Sequence, residues 1–140
     1  VYKLKNDFKD LEIIINGGIT STEQIKNHLN KTDGVMIGRS VYHSPYILAD
    51  IEKEIFKNKN ILTREEIIQK LIPYVKNETK KGTRLNQIMR HTLGLFHGQT
   101  GSSFWKRYLS ENMCVRDADV KKIDHIMDKV KLAPQARSAG

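Results

Sequence analysis

Two short glycine-containing stretches hold the residue types best suited to gripping an anion: Asn16-Gly17-Gly18 and Gly38-Arg39. Glycine has no Cβ, so its backbone N–H can come close to a phosphate oxygen. An arginine adds a planar fork that can bond two oxygens at once. Each stretch follows a short apolar run, Glu12 to Asn16 in one case and Val35 to Ile37 in the other. In parallel α/β sheets, the loops leaving the carboxyl ends of adjacent strands are where ligands bind. One glycine pair alone would be no more than a tight strand-to-helix turn. Two of them one βα unit apart, the second carrying an arginine, predict a terminal-phosphate cradle built from the last two βα units of a barrel.

Local pattern sets the elements that carry these loops. Glu12-Ile13-Ile14-Ile15-Asn16 is apolar without alternation, as expected of a buried parallel strand. In Thr20-Ser21-Thr22-Glu23-Gln24, hydroxyl residues precede Glu or Gln by three positions, a capping-box signature that starts a helix. The positive end of that helix would face the same loops, and Ile25 and Leu29 give it an apolar stripe. Asp33-Gly34 signals a turn, and Val35-Met36-Ile37 reads as a second buried strand. Strand, helix and strand make a βαβ unit. Such a unit needs neighbouring strands, so residues 1–57 are expected to be a fragment of a larger sheet.

Pro45 interrupts the next segment, and Tyr46 to Phe56 reads as a helix before the polar boundary Lys57-Asn58-Lys59-Asn60. The pattern beyond is helical. Thr63 caps a helix that Gly82 ends, Arg84 to His97 forms a second, and Gly98 to Ser103 connects to a third over Phe104 to Asn112. Asp117 to Val130 completes a small bundle, and residues 132–140 read as a loose tail. The expected fold class is therefore α/β, the end of a TIM-type barrel over 1–57, followed by an all-α helical bundle over 61–131.

Charge divides unevenly along the chain. Of the net +8, residues 64–110 hold nine Lys and Arg against three Asp and Glu, while the flanking stretches are nearly balanced. A basic excess confined to one domain suits a polyanion partner. In helix 84–97, Leu85, Ile88, Met89, Leu93 and Phe96 recur at core spacing, with Gly94 marking close packing against a neighbour. Arg84, Gln87 and His91 share the opposite, exposed face, with Asn86 and Arg90 beside it and Lys106 and Arg107 on the next helix. Such a face can bind the phosphates and sugar edges of structured RNA. Phe104, Trp105 and Tyr108 at helical spacing read as core rather than base-stacking groups. His91 and His97 lack the partners and spacing of a metal site, so no metal is expected. Cys114 alone allows no internal disulfide, reads as a partly buried structural thiol, and fits a reducing cytoplasm. No apolar run is long enough to span a membrane. The chain opens at Val1 without Met or a secretory leader, and is expected to begin within a longer protein.

These residues also carry a family resemblance. Ile15-Asn16-Gly17-Gly18-Ile19, then Asp33-Gly34-Val35-Met36-Ile37-Gly38-Arg39, then Pro45 resembles the end of the barrel in tRNA-dihydrouridine synthases. Residues 84–98, RLNQIMRHTLGLFHG, together with Trp105-Lys106-Arg107-Tyr108-Leu109-Ser110-Glu111 are similar to the dihydrouridine synthase A subgroup. The resemblance covers about residues 12–130. It implies the carboxyl-terminal portion of an enzyme that reduces D-loop uridine, at U20 and U20a, to 5,6-dihydrouridine. FMN would be the hydride carrier and NADPH the reductant. Asn16, Gly17, Gly18, Gly38 and Arg39 would hold the FMN phosphate. Arg84, Asn86, Gln87, Arg90, His91 and Arg107 would contact transfer RNA. The family's general-acid cysteine would lie upstream of Val1, so this chain would hold no catalytic residue and be inactive alone, and the full-length enzyme would be a monomer. Two other readings stand beside it: an RNA-binding module without catalysis, and a phosphate-binding barrel oxidoreductase acting on a small metabolite.

Overall fold

The computed structural model describes residues 1–113 together with Ile123 and His125. Apart from those two residues, the expected helix over 117–130 lies outside the described residues, as do the tail and Cys114. The chain divides into two compact units, one ending at Ile61 and the other beginning at Leu62.

The first unit runs α1 (Tyr2–Asp7), β1 (Ile14–Asn16), α2 (Thr22–Leu29), β2 (Gly34–Met36), α3 (Arg39–His43) and α4 (Ile47–Glu54). β1 and β2 pair in parallel, with Ile14 opposite Gly34, Ile15 opposite Val35 and Asn16 opposite Met36. The expected βαβ unit is present, with shorter strands. Ahead of the ladder, the Ile13 N–H donates to Asp33 Oδ2 at 2.8 Å, while the Asp33 N–H donates to the Ile13 carbonyl at 3.0 Å. Lys5 Nζ sits 2.7 Å from Asp33 Oδ2 and, with the Ile13 N–H, holds that carboxyl below its ordinary value. Ser21 caps α2, its Oγ accepting from the Gln24 N–H. The return arm reaches one residue further back than a standard capping box, since Gln24 Oε1 accepts from the Thr20 N–H at 2.8 Å.

The core of this unit is Ile19, Ile25, Ile47 and Ile51, with Ile15, Val35, Ile37, Val41 and Ile55 packed around it. The Lys26–Glu54 ion pair at 2.6 Å joins α2 to α4 on the surface. Within this chain the strands are covered on one face. Ile15 and Val35 turn to the core, whereas the alternate residues Ile14 and Met36 are 56% and 55% exposed. The pleat sends neighbours to opposite faces, and among the described residues only one face is covered by helices. Two elements lacked a sequence signal. α1 has no side-chain cap and buries no residue, and α3 is a five-residue helix inside what reads as loop.

In the second unit the described elements are all helical: α5 (Arg64–Lys80), α6 (Leu85–Met89), a 3₁₀ turn (Arg90–Thr92) and α7 (Ser102–Asn112). The capping box at the start of α5 is complete, as Thr63 Oγ1 accepts from the Glu66 N–H and Glu66 Oε2 from the Thr63 N–H at 2.7 Å. Gly82 ends the helix at φ +94, a conformation open to glycine at little cost. There the Gly82 N–H reaches the Thr79 carbonyl and the Thr83 N–H reaches that of Glu78, closing a Schellman motif. Ile68, Ile72 and Val75 form the buried stripe of α5 and share a core with Leu85, Met89, Leu95, Phe96, Trp105, Leu109 and Met113.

Thr63→Ala is expected to cost about 1 kcal/mol by removing the cap. The Thr63 N–H holds the Glu66 carboxyl below its ordinary value. Its contribution is therefore complete above the usual carboxylate pKa and is lost as pH falls through the lowered folded value. Urea unfolding followed by circular dichroism should show Glu66→Gln less stable than the parent at neutral pH, with the gap closing in acid. A gap independent of pH would show that the charge plays no part.

The helix expected over Arg84 to His97 is not continuous. After Met89 the chain tightens into the 3₁₀ turn and then into turns closed by three-residue hydrogen bonds, Leu95 to Thr92, His97 to Gly94 and Gln99 to Phe96. Side chains take carbonyls that a continuing α-helix would use: Trp105 Nε1 donates to Thr92 O, and Arg64 Nε donates to Leu95 O, both at 2.9 Å. The change of period moves the core. Leu95 is buried with Phe96, while Ile88 and Leu93, assigned to the core from an unbroken helical repeat, are only half-buried.

Candidate functional site

The first glycine stretch leaves the carboxyl end of β1 and the second leaves β2 one residue beyond Met36. The two strands are parallel and adjacent, so both loops emerge on the same edge. Gly17 and Gly18 adopt φ +122 and +66, conformations that a residue with a side chain enters only under strain. A Cβ placed at Gly17, Gly18 or Gly38 would meet no atom within 4 Å, so the space beside this backbone is open. The N–H groups of Gly18, Ile19 and Gly38 have no protein partner among the described residues. Arg39 is exposed at the first position of α3.

Sequence reasoning missed one residue that joins the loops. Ser40 Oγ donates to the Ile19 carbonyl at 2.5 Å, spanning 21 positions. The only sequence signal for it was a hydroxyl directly after Gly38-Arg39. Asn16, Gly17, Gly18, Gly38 and Arg39 are thus on one edge of the first unit, all of them exposed.

The second candidate surface lies on the second unit. Of its basic residues between 64 and 110, all except Arg64 are exposed: Lys70, Lys76, Lys80, Lys81, Arg84, Arg90, Lys106 and Arg107. Of the three acids there, Glu66 serves the α5 cap and Glu78 pairs with Lys81 at 2.8 Å, and nine basic residues against three acids leave a net excess of six. Arg84, Gln87, Arg90, His91 and Arg107 are exposed as expected. Their grouping on one helical face is corrected, because Arg90 and His91 lie in the 3₁₀ turn rather than on a continuing α-helix. Three of these side chains, Gln87, Arg90 and His91, already have partners. Gln87 Oε1 accepts from the Arg84 N–H at 3.3 Å, and Arg90 Nε contacts His91 Nε2 at 3.3 Å. Asn86 is half-buried with its Oδ1 enclosed and unpartnered, unlike a side chain standing on the exposed face. Trp105 is fully buried, and Phe104 and Tyr108 are partly buried. No group of three or more metal-ligating side chains occurs among the described residues. No described helix is long and apolar enough to cross a membrane.

Comparison with known proteins adds to this geometry. The family model described as Dihydrouridine synthase (Dus) matches residues 1–131. The chain is 48% identical over 119 residues to a tRNA-dihydrouridine(20/20a) synthase of Synechocystis sp., covering 84% of this chain and 36% of that protein. To the enzyme of the same name from Haemophilus ducreyi it is 41% identical over 128 residues, covering 91% and 40%. To the one from Escherichia coli it is 44% identical over 131 residues, covering 93% and 38%. The chain therefore spans between a third and two fifths of the length of these relatives.

Proposed function

The chain belongs to the dihydrouridine synthase family, and from that premise we propose that it is the phosphate-anchoring and RNA-docking part of a tRNA-dihydrouridine synthase. The whole enzyme would reduce uridine at positions 20 and 20a of transfer RNA to 5,6-dihydrouridine in the cytoplasm, as a monomer, with FMN as cofactor and NADPH as reductant. The observation that carries this reading is the pair of glycine loops on parallel strands, within a chain whose relatives are named for that reaction.

The residues present fit a flavin phosphate. Open space beside Gly17, Gly18 and Gly38 lets an anion reach the backbone, and the N–H groups of Gly18, Ile19 and Gly38 are available as donors. Arg39 would add a charge-assisted contact. When bound, FMN supplies hydride to the uracil ring. Asn16, Gly17, Gly18, Gly38 and Arg39 would anchor its phosphate, so that the remainder of the enzyme, which would carry the proton donor, meets a fixed cofactor. The exposed arginines of the second unit would hold transfer RNA by its phosphates and supply most of its affinity.

The test uses the full-length enzyme with FMN, NADPH and transfer RNA lacking dihydrouridine. Dihydrouridine should form at positions 20 and 20a. Arg84→Ala and Arg90→Ala should each weaken transfer-RNA binding by roughly 1–2 kcal/mol and make the logarithmic salt slope shallower by about one, with helical content unchanged. Lys76→Ala, on α5, should cost less. Equal losses at Lys76 and Arg84 would mean diffuse attraction to a basic surface. Absence of dihydrouridine in the parent reaction would sink the proposed activity.

A further inference from the structure

We infer that Ser40 is a positioning residue for the phosphate cradle, setting the preference of the site for a flavin that ends in a phosphate over one that ends in an alcohol. The inference rests on the phosphate reading of the two loops. The strand ladder stops at Asn16 and Met36. Beyond it, among the described residues, the Ser40 Oγ–Ile19 O bond is the hydrogen bond that joins residues 17–20 to residues 37–40.

Both ends of that bond are anchored. Ile19 is buried with Ile25, Ile47 and Ile51, directly after Gly18. Ser40 directly follows Arg39 in α3, and its own carbonyl accepts from the Ser44 N–H at 2.8 Å. The hydroxyl proton is committed to Ile19, so Ser40 acts on a ligand through the two loops and not by donating to it. An anion shared between two loops is bound best when their separation is set beforehand, since otherwise binding must order them. A flavin without the phosphate makes no use of that separation.

Titration of the full-length apo-enzyme with FMN and with riboflavin, followed by flavin fluorescence, tests this. In Ser40→Ala, FMN affinity should fall about three- to tenfold, the effect of one neutral hydrogen bond, while riboflavin affinity stays at the parent value. Ser40→Thr keeps the hydroxyl and should keep the FMN preference. Parallel loss of both flavins, an unchanged FMN affinity in Ser40→Ala, or a Thr variant as poor as the Ala variant would overturn the inference. A parent enzyme that binds both flavins equally would overturn the phosphate reading as well, which separates that failure from a failure of Ser40 alone.

Discussion

Trp105→Ala is expected to destabilise the second unit by about 3–5 kcal/mol, a large fraction of the roughly 5–15 kcal/mol that holds an ordinary domain folded. Trp105 is fully buried, and its ring centroid lies 4.8 Å from that of Phe96. Truncation removes a large apolar volume from a fully buried position and leaves a cavity. It also removes one of the two donors to the Thr92 carbonyl, which keeps only the Leu95 N–H. Trp105→Phe separates the two effects, because it restores most of the ring volume but not the hydrogen bond. It should fall between parent and alanine variant, nearer the parent. Urea unfolding monitored by circular dichroism provides the measurement. An alanine variant within about 1 kcal/mol of the parent would show that the core does not depend on this residue.

Arg39→Ala in the full-length enzyme should weaken FMN retention by on the order of 1–3 kcal/mol, the range for a charge-assisted hydrogen bond. Arg39 is exposed at the start of a five-residue helix, so its side chain is not part of the core and the variant should fold. Arg39→Lys keeps the charge without the bidentate fork and should lie between the two. Transfer-RNA affinity of the flavin-loaded variant should change little, which separates this effect from general loss of positive charge. Equal flavin occupancy in variant and parent, measured by absorbance after gel filtration, would remove Arg39 from the site.

The βαβ unit, the α5 caps and the glycine loops could all be read from local sequence, because each depends on neighbouring residues. Thr63 and Glu66 need only three positions between them to form a capping box. Gly82 needs only its own φ to end the helix. Gly17 and Gly18 announce a backbone that other residues avoid. The basic excess of residues 64–110 is a matter of composition and survives folding as an exposed charged surface.

The path of the chain after Met89 was decided by contacts distant in sequence. Nothing within Arg84 to His97 reveals that Trp105 will take the Thr92 carbonyl or that Arg64 will take that of Leu95. Those two donors favour a tighter turn over another α-helical turn, and the apolar stripe shifts with it to bury Leu95 in place of Leu93. The same holds in the first unit. Two strands rich in isoleucine and valine read as buried; in this chain Ile15 and Val35 face the core while Ile14 and Met36 are exposed. Burial is a property of what packs against a face, and the chain spans only 36–40% of the length of its relatives. The Ser40–Ile19 bond is likewise invisible in sequence, since it links loops 21 positions apart that only parallel strand pairing brings together. Spacing along the chain dictates where elements start and stop; which carbonyls, faces and loops meet depends on tertiary packing, because those partners lie outside any local window.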